Sequence, residues 1–306
     1  MRIAIVGQQD FGAKVLEAFL KRGDTIAAVF CAPEKEGARP DALRVAAQAA
    51  GLTVHQFKSL RAPEAVAAMQ AADADIGIMA FVLQFAPQEF VNIPKHGTIQ
   101  YHPSLLPKYR GPSSINWPIS RGEKETGLTI FRPTDGLDEG AVILQKRVAV
   151  GENDTLGDVY FNRLFPMGVE AMVDAADLVV AGKHTETVQD ESQATYEGWF
   201  REGEAKINWA NHADTIHDLI RGCDPAPGAW TTYNGTKLAV YESRKEPVRT
   251  FGAVKGKIGE VVAAGDGKIV VTAQGGRIHL GKAKLGDAKK GAADTAGLPV
   301  GAILGT

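Results

Sequence analysis

The chain predicts an α/β protein: a doubly wound, mostly parallel Rossmann-like sheet followed by a small OB-like β-barrel. Its first half alternates short apolar runs with helix-period stretches, as buried parallel strands and their covering helices do. About a hundred residues at the far end instead hold short strands separated by glycine turns, the pattern of a small barrel. Length sets the scale, since 306 residues with 44% hydrophobic and 23% charged side chains can fill two hydrophobic cores. The boundaries expected are 1–203 for the α/β domain and 204–306 for the barrel, with the polar, weakly periodic stretch 183–204 as linker.

In chain order, Ile3 to Val6 reads as a buried strand, Phe11 to Lys21 as an amphipathic helix and Thr25 to Phe30 as the second strand, which makes a first βαβ unit. Pro40 to Ala50 and Ala62 to Ala72 read as helices, and Ile76 to Ala80 and Thr98 to Tyr101 as further strands. The first turn, Gly7-Gln8-Gln9-Asp10-Phe11-Gly12, has glutamine where a dinucleotide fingerprint needs its second glycine, so Gly7 is expected to serve close packing. Gly127 to Phe131 and Gly140 to Val148 flank a turn around Asp138. Thr155 and Asp158 make a capping box for a helix in which Pro166 predicts a kink or break. Ala210 to Cys223 is a helix, and Lys237 to Tyr241, Gly259 to Ala263, Lys268 to Thr272 and Arg277 to Gly281 are strands. The Gly265-Asp266-Gly267 and Gln274-Gly275-Gly276 turns make hairpins of them.

Several function classes drop out. Cys31 and Cys223 stand in no metal-ligand or redox spacing, so neither zinc nor a disulfide is expected and a reducing compartment is favoured. The opening Met1-Arg2-Ile3-Ala4-Ile5-Val6-Gly7 is too short an apolar run for a signal peptide, and no later run approaches a membrane span. A cytoplasmic protein with no membrane partner is the expectation, and nothing in the sequence sets an oligomeric state. The net charge of −2 hides an asymmetry: residues 1–204 carry 20 Lys and Arg against 27 Asp and Glu, and residues 205–306 carry 14 against 9. A mildly basic second region suits either an ordinary solvated surface or contact with a phosphate backbone.

The chemistry gathers at Gln100-Tyr101-His102-Pro103-Ser104-Leu105-Leu106-Pro107 and, further along, Asp135-Gly136-Leu137-Asp138-Glu139-Gly140. His102 lies just past a predicted strand end, where functional groups collect in such sheets. An imidazole held beside a proline, with a carboxylate brought in from a glycine-flanked turn, can move protons around a carbonyl near neutral pH.

These two stretches resemble the signature of the folate-dependent formyltransferase and formyl-hydrolase family, whose shared core is H-x-S-L-L-P together with G-L-D. The resemblance continues through the opening strand, Phe81-Val82-Leu83-Gln84-Phe85-Ala86-Pro87, Arg110-Gly111, Ala205-Lys206-Ile207-Asn208-Trp209 and Ile220-Arg221-Gly222. It implies 10-formyltetrahydrofolate as formyl donor, His102 and Asp138 as the catalytic pair, and Gln100 near the oxyanion. Phe81, Leu83, Gln84, Phe85 and Ala86, with Ser104, Asp135, Gly136 and Leu137, are then expected to contact the folate. Cleaving a formamide-like bond needs an activated nucleophile, a stabilised oxyanion and a proton for the departing nitrogen, and this set offers groups for each.

One departure bears on the acceptor. Transferases of this family that formylate methionyl-tRNA or sugar amines have asparagine two residues before the histidine, whereas this chain has Gln100, whose extra methylene displaces the amide by roughly 1 Å. Ser114-Ile115-Asn116-Trp117, Tyr160 to Pro166, Ala194 to Gly198 and Pro227-Gly228-Ala229-Trp230 are similar to the hydrolase-domain branch found in 10-formyltetrahydrofolate dehydrogenase. The Ala32 to Pro40 stretch is shorter and less basic than the loop with which the tRNA enzymes grip their substrate. No aldehyde dehydrogenase module or carrier domain is expected to follow these 306 residues, and no small regulatory domain of the kind that opens bacterial deformylases is expected before them. A free-standing hydrolase, or a transferase with a small amine acceptor, is the leading expectation. The alternatives are methionyl-tRNA formylation and a folate-binding protein in which Gln100 has relaxed catalysis.

Overall fold

The computed structural model describes residues 1–248 and 256–305. In chain order its elements are β1 (Arg2–Gly7), α1 (Gln9–Arg22), β2 (Thr25–Phe30), α2 (Ala42–Ala49), β3 (Val54–His55), α3 (Pro63–Ala72), β4 (Ile76–Ala80), α4 (Gln88–Val91) and β5 (Thr98–His102). There follow α5 (Asn116–Ser120), β6 (Glu125–Phe131), β7 (Val142–Ala149), α6 (Leu156–Val159), a π-helical turn at Tyr160–Leu164, α7 (Phe165–Val180) and a short 3₁₀ turn at Glu191–Gln193. The remainder is α8 (Ala213–Gly222), β8 (Ala229–Tyr233), β9 (Thr236–Pro247), β10 (Val261–Gly265), β11 (Lys268–Ala273), β12 (Gly276–Leu285), β13 (Gly291–Ala292) and a last 3₁₀ turn at Ala293–Ala296. Two compact units result, one comprising 1–111, 127–148 and 163–196, the other 112–126, 149–162 and 197–306.

In the first unit the strands form one sheet in the order β3-β2-β1-β4-β5-β6-β7, parallel from β3 to β5 and antiparallel where β6 meets β5. The chain winds outward from β1 to β3 and then crosses back to β4, so the switch point lies between β1 and β4. Loops after the carboxyl ends of such strands form the binding crevice of this architecture. β4 is buried at all five positions, the continuous apolar run that a strand covered on both faces requires. Ala4, Val6, Phe30, Met69 and Phe90 pack one face. Across from them α1 buries Phe11, Val15, Leu16 and Phe19 at helical spacing and contacts α7, and Phe11 stacks on Tyr101 of β5 with ring centroids 4.3 Å apart. Truncating Phe19 to alanine in this packing costs about 3–5 kcal/mol. Gly7 does serve close packing, because a Cβ there would sit 2.1 Å from the Ala80 carbonyl oxygen.

The second unit holds an antiparallel sheet in the order β10-β11-β12-β9-β8, with β13 on β12. Its core joins Ile216 and Ile220 of α8 to Leu238, Val240, Ile269, Val271, Ile278 and Leu280, where period-2 alternation turns one sheet face inward. Asn234-Gly235 and Asp266-Gly267, each with φ positive at both residues, close the β8–β9 and β10–β11 hairpins with the twist that the strands favour.

Two expectations need correction, while a third takes a particular form. The irregularity expected at Pro166 is the π-helical turn at Tyr160–Leu164 just before it, after which Pro166 lies in the first turn of α7. The stretch 183–204 is no free linker, since Val142 and Thr187 exchange backbone bonds and Arg110 N–H donates to Thr195 O at 2.9 Å. The helix expected from Ala210 starts at Ala213, because His212 takes the N-cap and its Nδ1 accepts from Asp214 N–H. No helix among the described residues is long and apolar enough to cross a membrane.

Candidate active site

β5 carries the first part of the site. Strand alternation puts Gln100 and His102 on the same face, with Gln100 half-buried between Met79 of β4 and Phe131 of β6. His102 ends the strand and is 6% exposed. Its Nε2 lies 2.8 Å from the carbonyl oxygen of Tyr109. A carbonyl can only accept, so Nε2 carries a proton and the neutral ring keeps its lone pair on Nδ1. That Nδ1 faces Asp138 Oδ2 at 3.6 Å, beyond hydrogen-bond reach.

Asp138 arrives from the turn between β6 and β7 and is 9% exposed. Its Oδ2 accepts from Gly111 N–H at 2.8 Å, which fixes the carboxylate without using Oδ1. Gly140, two residues on, has no room for a side chain, since a Cβ would stand 1.7 Å from the Arg132 carbonyl oxygen. Phe81, Tyr109 and Asp138 all have φ between 55° and 59°, a left-handed backbone that costs a non-glycine residue of order 1–2 kcal/mol.

The loop after β4 alternates outward and inward. Phe81, Leu83 and Phe85 are 36%, 56% and 44% exposed, and Leu137 beside Asp138 is 54% exposed. Gln88 ties the two segments together: its N–H donates to Asp135 Oδ1 at 3.2 Å and its side-chain amide to Pro133 O at 3.0 Å. Large apolar side chains held toward solvent on hydrogen-bonded loops make a surface suited to a flat, partly apolar ligand. Gln84 donates to Phe57 O at 2.8 Å, and Arg61 lies over the Phe85 ring at 4.4 Å. Lys58, Ser59, Arg61, Gln84 and Phe85 line an open hollow of about 320 Å³.

The structure thus brings together His102 and Asp138, and separately joins the 81–88 loop to the 133–135 turn. Ala86 and Ser104 are two further expected folate contacts. Both are buried, and the Ser104 hydroxyl donates to Lys108 O at 2.7 Å while Thr129 Oγ1 donates to Ser104 O, so Ser104 braces the loop that carries Tyr109. Residue-by-residue reading missed the Tyr109 carbonyl and Gly111 N–H, because a backbone group's aim depends on φ and ψ and leaves no trace in residue type. It also missed Gln189, whose amide is buried under the Asp138 turn. A glutamine in a polar stretch gives no sign of burial. Among the described residues no cluster of His, Cys, Asp and Glu is placed to hold a metal ion.

The sequence pattern of the formyl transferase family matches residues 1–176, and that of the formyl transferase C-terminal domain matches residues 201–296. Mitochondrial 10-formyltetrahydrofolate dehydrogenase of Mus musculus is 38% identical over 288 residues, covering 89% of this chain and 31% of that protein. The cytosolic human enzyme is 42% identical over 248 residues, 79% of this chain and 27% of its own. This chain therefore spans less than a third of the length of those relatives. Methionyl-tRNA formyltransferase of Geobacter metallireducens is 31% identical over 295 residues, covering 95% of this chain and 93% of that protein. Among solved structures, HypX of Aquifex aeolicus in complex with tetrahydrofolic acid superposes with TM-score 0.68 at 19% identity, over 97% of this chain and 46% of that one. An N-formyltransferase from Helicobacter canadensis, in complex with folinic acid and dTDP-3-aminofucose, gives 0.67 at 18% identity over 95% and 99%. These structures share the fold, while the sequence matches run through both units and through the His102 and Asp138 segments: the chain belongs to the formyl transferase family.

Proposed function

We propose that this chain takes the formyl group from 10-formyltetrahydrofolate and delivers it to water or a small amine. The convergence of His102 Nδ1 and Asp138 Oδ2 at 3.6 Å supports this most directly, because neither group is consumed by the other and both can serve a third. In the reaction an O–H or N–H nucleophile adds to the formyl carbon. One proton leaves the nucleophile, the bond from carbon to folate nitrogen breaks, and that nitrogen takes a proton. Asp138 takes the first proton and passes it to His102 Nδ1, which hands it to the departing nitrogen, so both groups finish the cycle as they began it. Gln100, on the His102 face of β5, reaches toward the oxyanion with its side-chain amide. Phe81, Leu83, Phe85 and Leu137 flank the folate ring system, with Gln84, Asp135 and Gly136 on the same two segments. Residues 1–203 act as the catalytic region and 204–306 as its accessory, in a cytoplasmic setting.

The 38–42% identity to the two dehydrogenases favours water or an amine over tRNA. So does the 32–40 loop. Backbone and Gln56 hydrogen bonds hold the Glu34 carboxyl down at about 2, so it stays ionised and pairs with Arg44 at 2.7 Å, leaving little positive charge for a phosphate backbone. Purified protein, 10-formyltetrahydrofolate and a panel of water, amines and methionyl-tRNA provide the test. Folded protein that consumes no donor with any acceptor would falsify the reading.

Methionyl-tRNA formylation is the second reading, supported by the near end-to-end match to the Geobacter metallireducens enzyme. It requires tRNA binding that weakens steeply between 50 and 200 mM salt, by about 10³-fold or more for six or more phosphate contacts. Salt-insensitive or absent binding removes it.

A further inference from the structure

The Asp138 turn is gripped from beneath by a side chain that no part of the reaction scheme uses. Gln189 is 6% exposed, and its Nε2 donates both to Asp138 O at 2.8 Å and to Gly140 O at 2.7 Å. Its Oε1 accepts from Arg110 Nε at 3.1 Å and Nη2 at 2.8 Å. The amide has one way round: a guanidinium only donates and a carbonyl only accepts, so oxygen must face Arg110 and nitrogen the turn. Arg110 is wholly buried. Its outer edge makes a two-pronged pair with Glu191, through Nη1 at 3.0 Å and Nη2 at 2.6 Å, and a further bond to the Tyr196 hydroxyl.

The loop then closes on itself. Arg110 precedes Gly111, whose N–H holds the Asp138 carboxylate, so one short segment controls both the side chain of Asp138, through Gly111, and its backbone, through Gln189. Asp138 needs such control because it sits at φ 55°, a conformation that an aspartate on an unsupported turn would leave. Buried charge without partners is costly, which argues that the Arg110 guanidinium is kept here for what it orients.

We propose that Gln189, oriented by Arg110, is a positioning residue that sets the Asp138 carboxylate against His102 for formyl transfer. The proposal rests on the reading of Asp138 as the proton-accepting group. Gln189→Glu retains size and the bond to Arg110 but replaces both N–H donors with oxygen facing two carbonyls, so the turn loses its grip while the donor-binding loop at 81–88 is untouched.

The test compares wild type, Gln189→Glu, Arg110→Lys and Asp138→Asn by steady-state turnover of 10-formyltetrahydrofolate, tetrahydrofolate affinity, thermal melting and the pH profile of kcat. Gln189→Glu is expected to lower kcat at least 10-fold with tetrahydrofolate Kd within about 2-fold, and to displace the acid limb of the pH profile, which a merely structural loss would leave in place. Should Gln189→Glu not fold, Arg110→Lys carries the test, with kcat expected to fall about 5-fold at unchanged Kd. A folded Gln189→Glu or Arg110→Lys with wild-type kcat and pH profile overturns the proposal while Asp138→Asn remains inactive. Wild-type turnover by Asp138→Asn overturns the catalytic reading itself, and the positioning role with it.

Discussion

Each compact unit has a buried histidine, and the two are wired differently. His217 on α8 is wholly buried, with Nε2 3.0 Å from Glu152 O and Nδ1 2.7 Å from the hydroxyl of Ser243 on β9. The Glu152 carbonyl must accept, so Nε2 donates and Nδ1 accepts from the hydroxyl, leaving the ring no unused polar atom. His102 donates to one carbonyl in the same way, yet its Nδ1 has only a carboxylate outside hydrogen-bond distance. Burial and a neighbouring oxygen are common to both. Unused bonding capacity aimed at a second ionisable group separates the histidine suited to chemistry from the one that holds a helix to a sheet.

If that contrast is sound, removing His102 or Asp138 has the largest effect. His102→Ala or Asp138→Asn is expected to lower formyl turnover by about 10²–10⁴-fold in protein that still folds, His102→Ala also losing about 1–3 kcal/mol of stability from the orphaned Tyr109 carbonyl, read from donor consumption beside a thermal melt. Next comes Gln100→Leu, which keeps the bulk of the side chain and deletes its amide. Turnover should fall by roughly 10²-fold with donor affinity retained, and wild-type kcat in this variant would remove the amide from the oxyanion site.

The complementary change, His217→Ala, is expected to leave turnover intact while costing about 2–3 kcal/mol of stability from the orphaned Ser243 hydroxyl and Glu152 carbonyl, measured by chemical denaturation. Loss of activity in folded His217→Ala would break the contrast. The smallest effect concerns pH. Burial, with Arg221 and Lys245 nearby, holds the His217 imidazole below the usual histidine range. Below a pH of about 6.5 the unfolded chain therefore binds a proton that the native site resists, so stability is fullest above that pH and declines as the pH falls through it. Melting curves of wild type and His217→Gln between pH 7.5 and 5.5 should show a steeper decline for wild type.

Legibility followed local physics. Ile76 to Ala80 and Thr25 to Phe30 were readable as strands to the residue, because a strand buried on both faces must be a continuous apolar run. The capping box of Thr155 and Asp158 was readable because both halves of it lie within one turn of helix. β3 is two residues long and β8 begins beside a proline-rich turn, so neither offered a period to detect. The polar stretch 183–204 looked like linker because its backbone partners, Val142, Pro107 and Arg110, are far away in sequence.

The sequence by itself determined which chemistry is available, an imidazole at a strand end and a carboxylate on a glycine-flanked turn, because residue type and local pattern set functional groups and secondary structure. Tertiary structure alone decided how they meet: the 3.6 Å separation, the proton fixed on Nε2 by Tyr109, and the Arg110–Gln189 support beneath Asp138. Each of those depends on the direction of a backbone carbonyl or N–H, and such directions arise only once distant segments have packed.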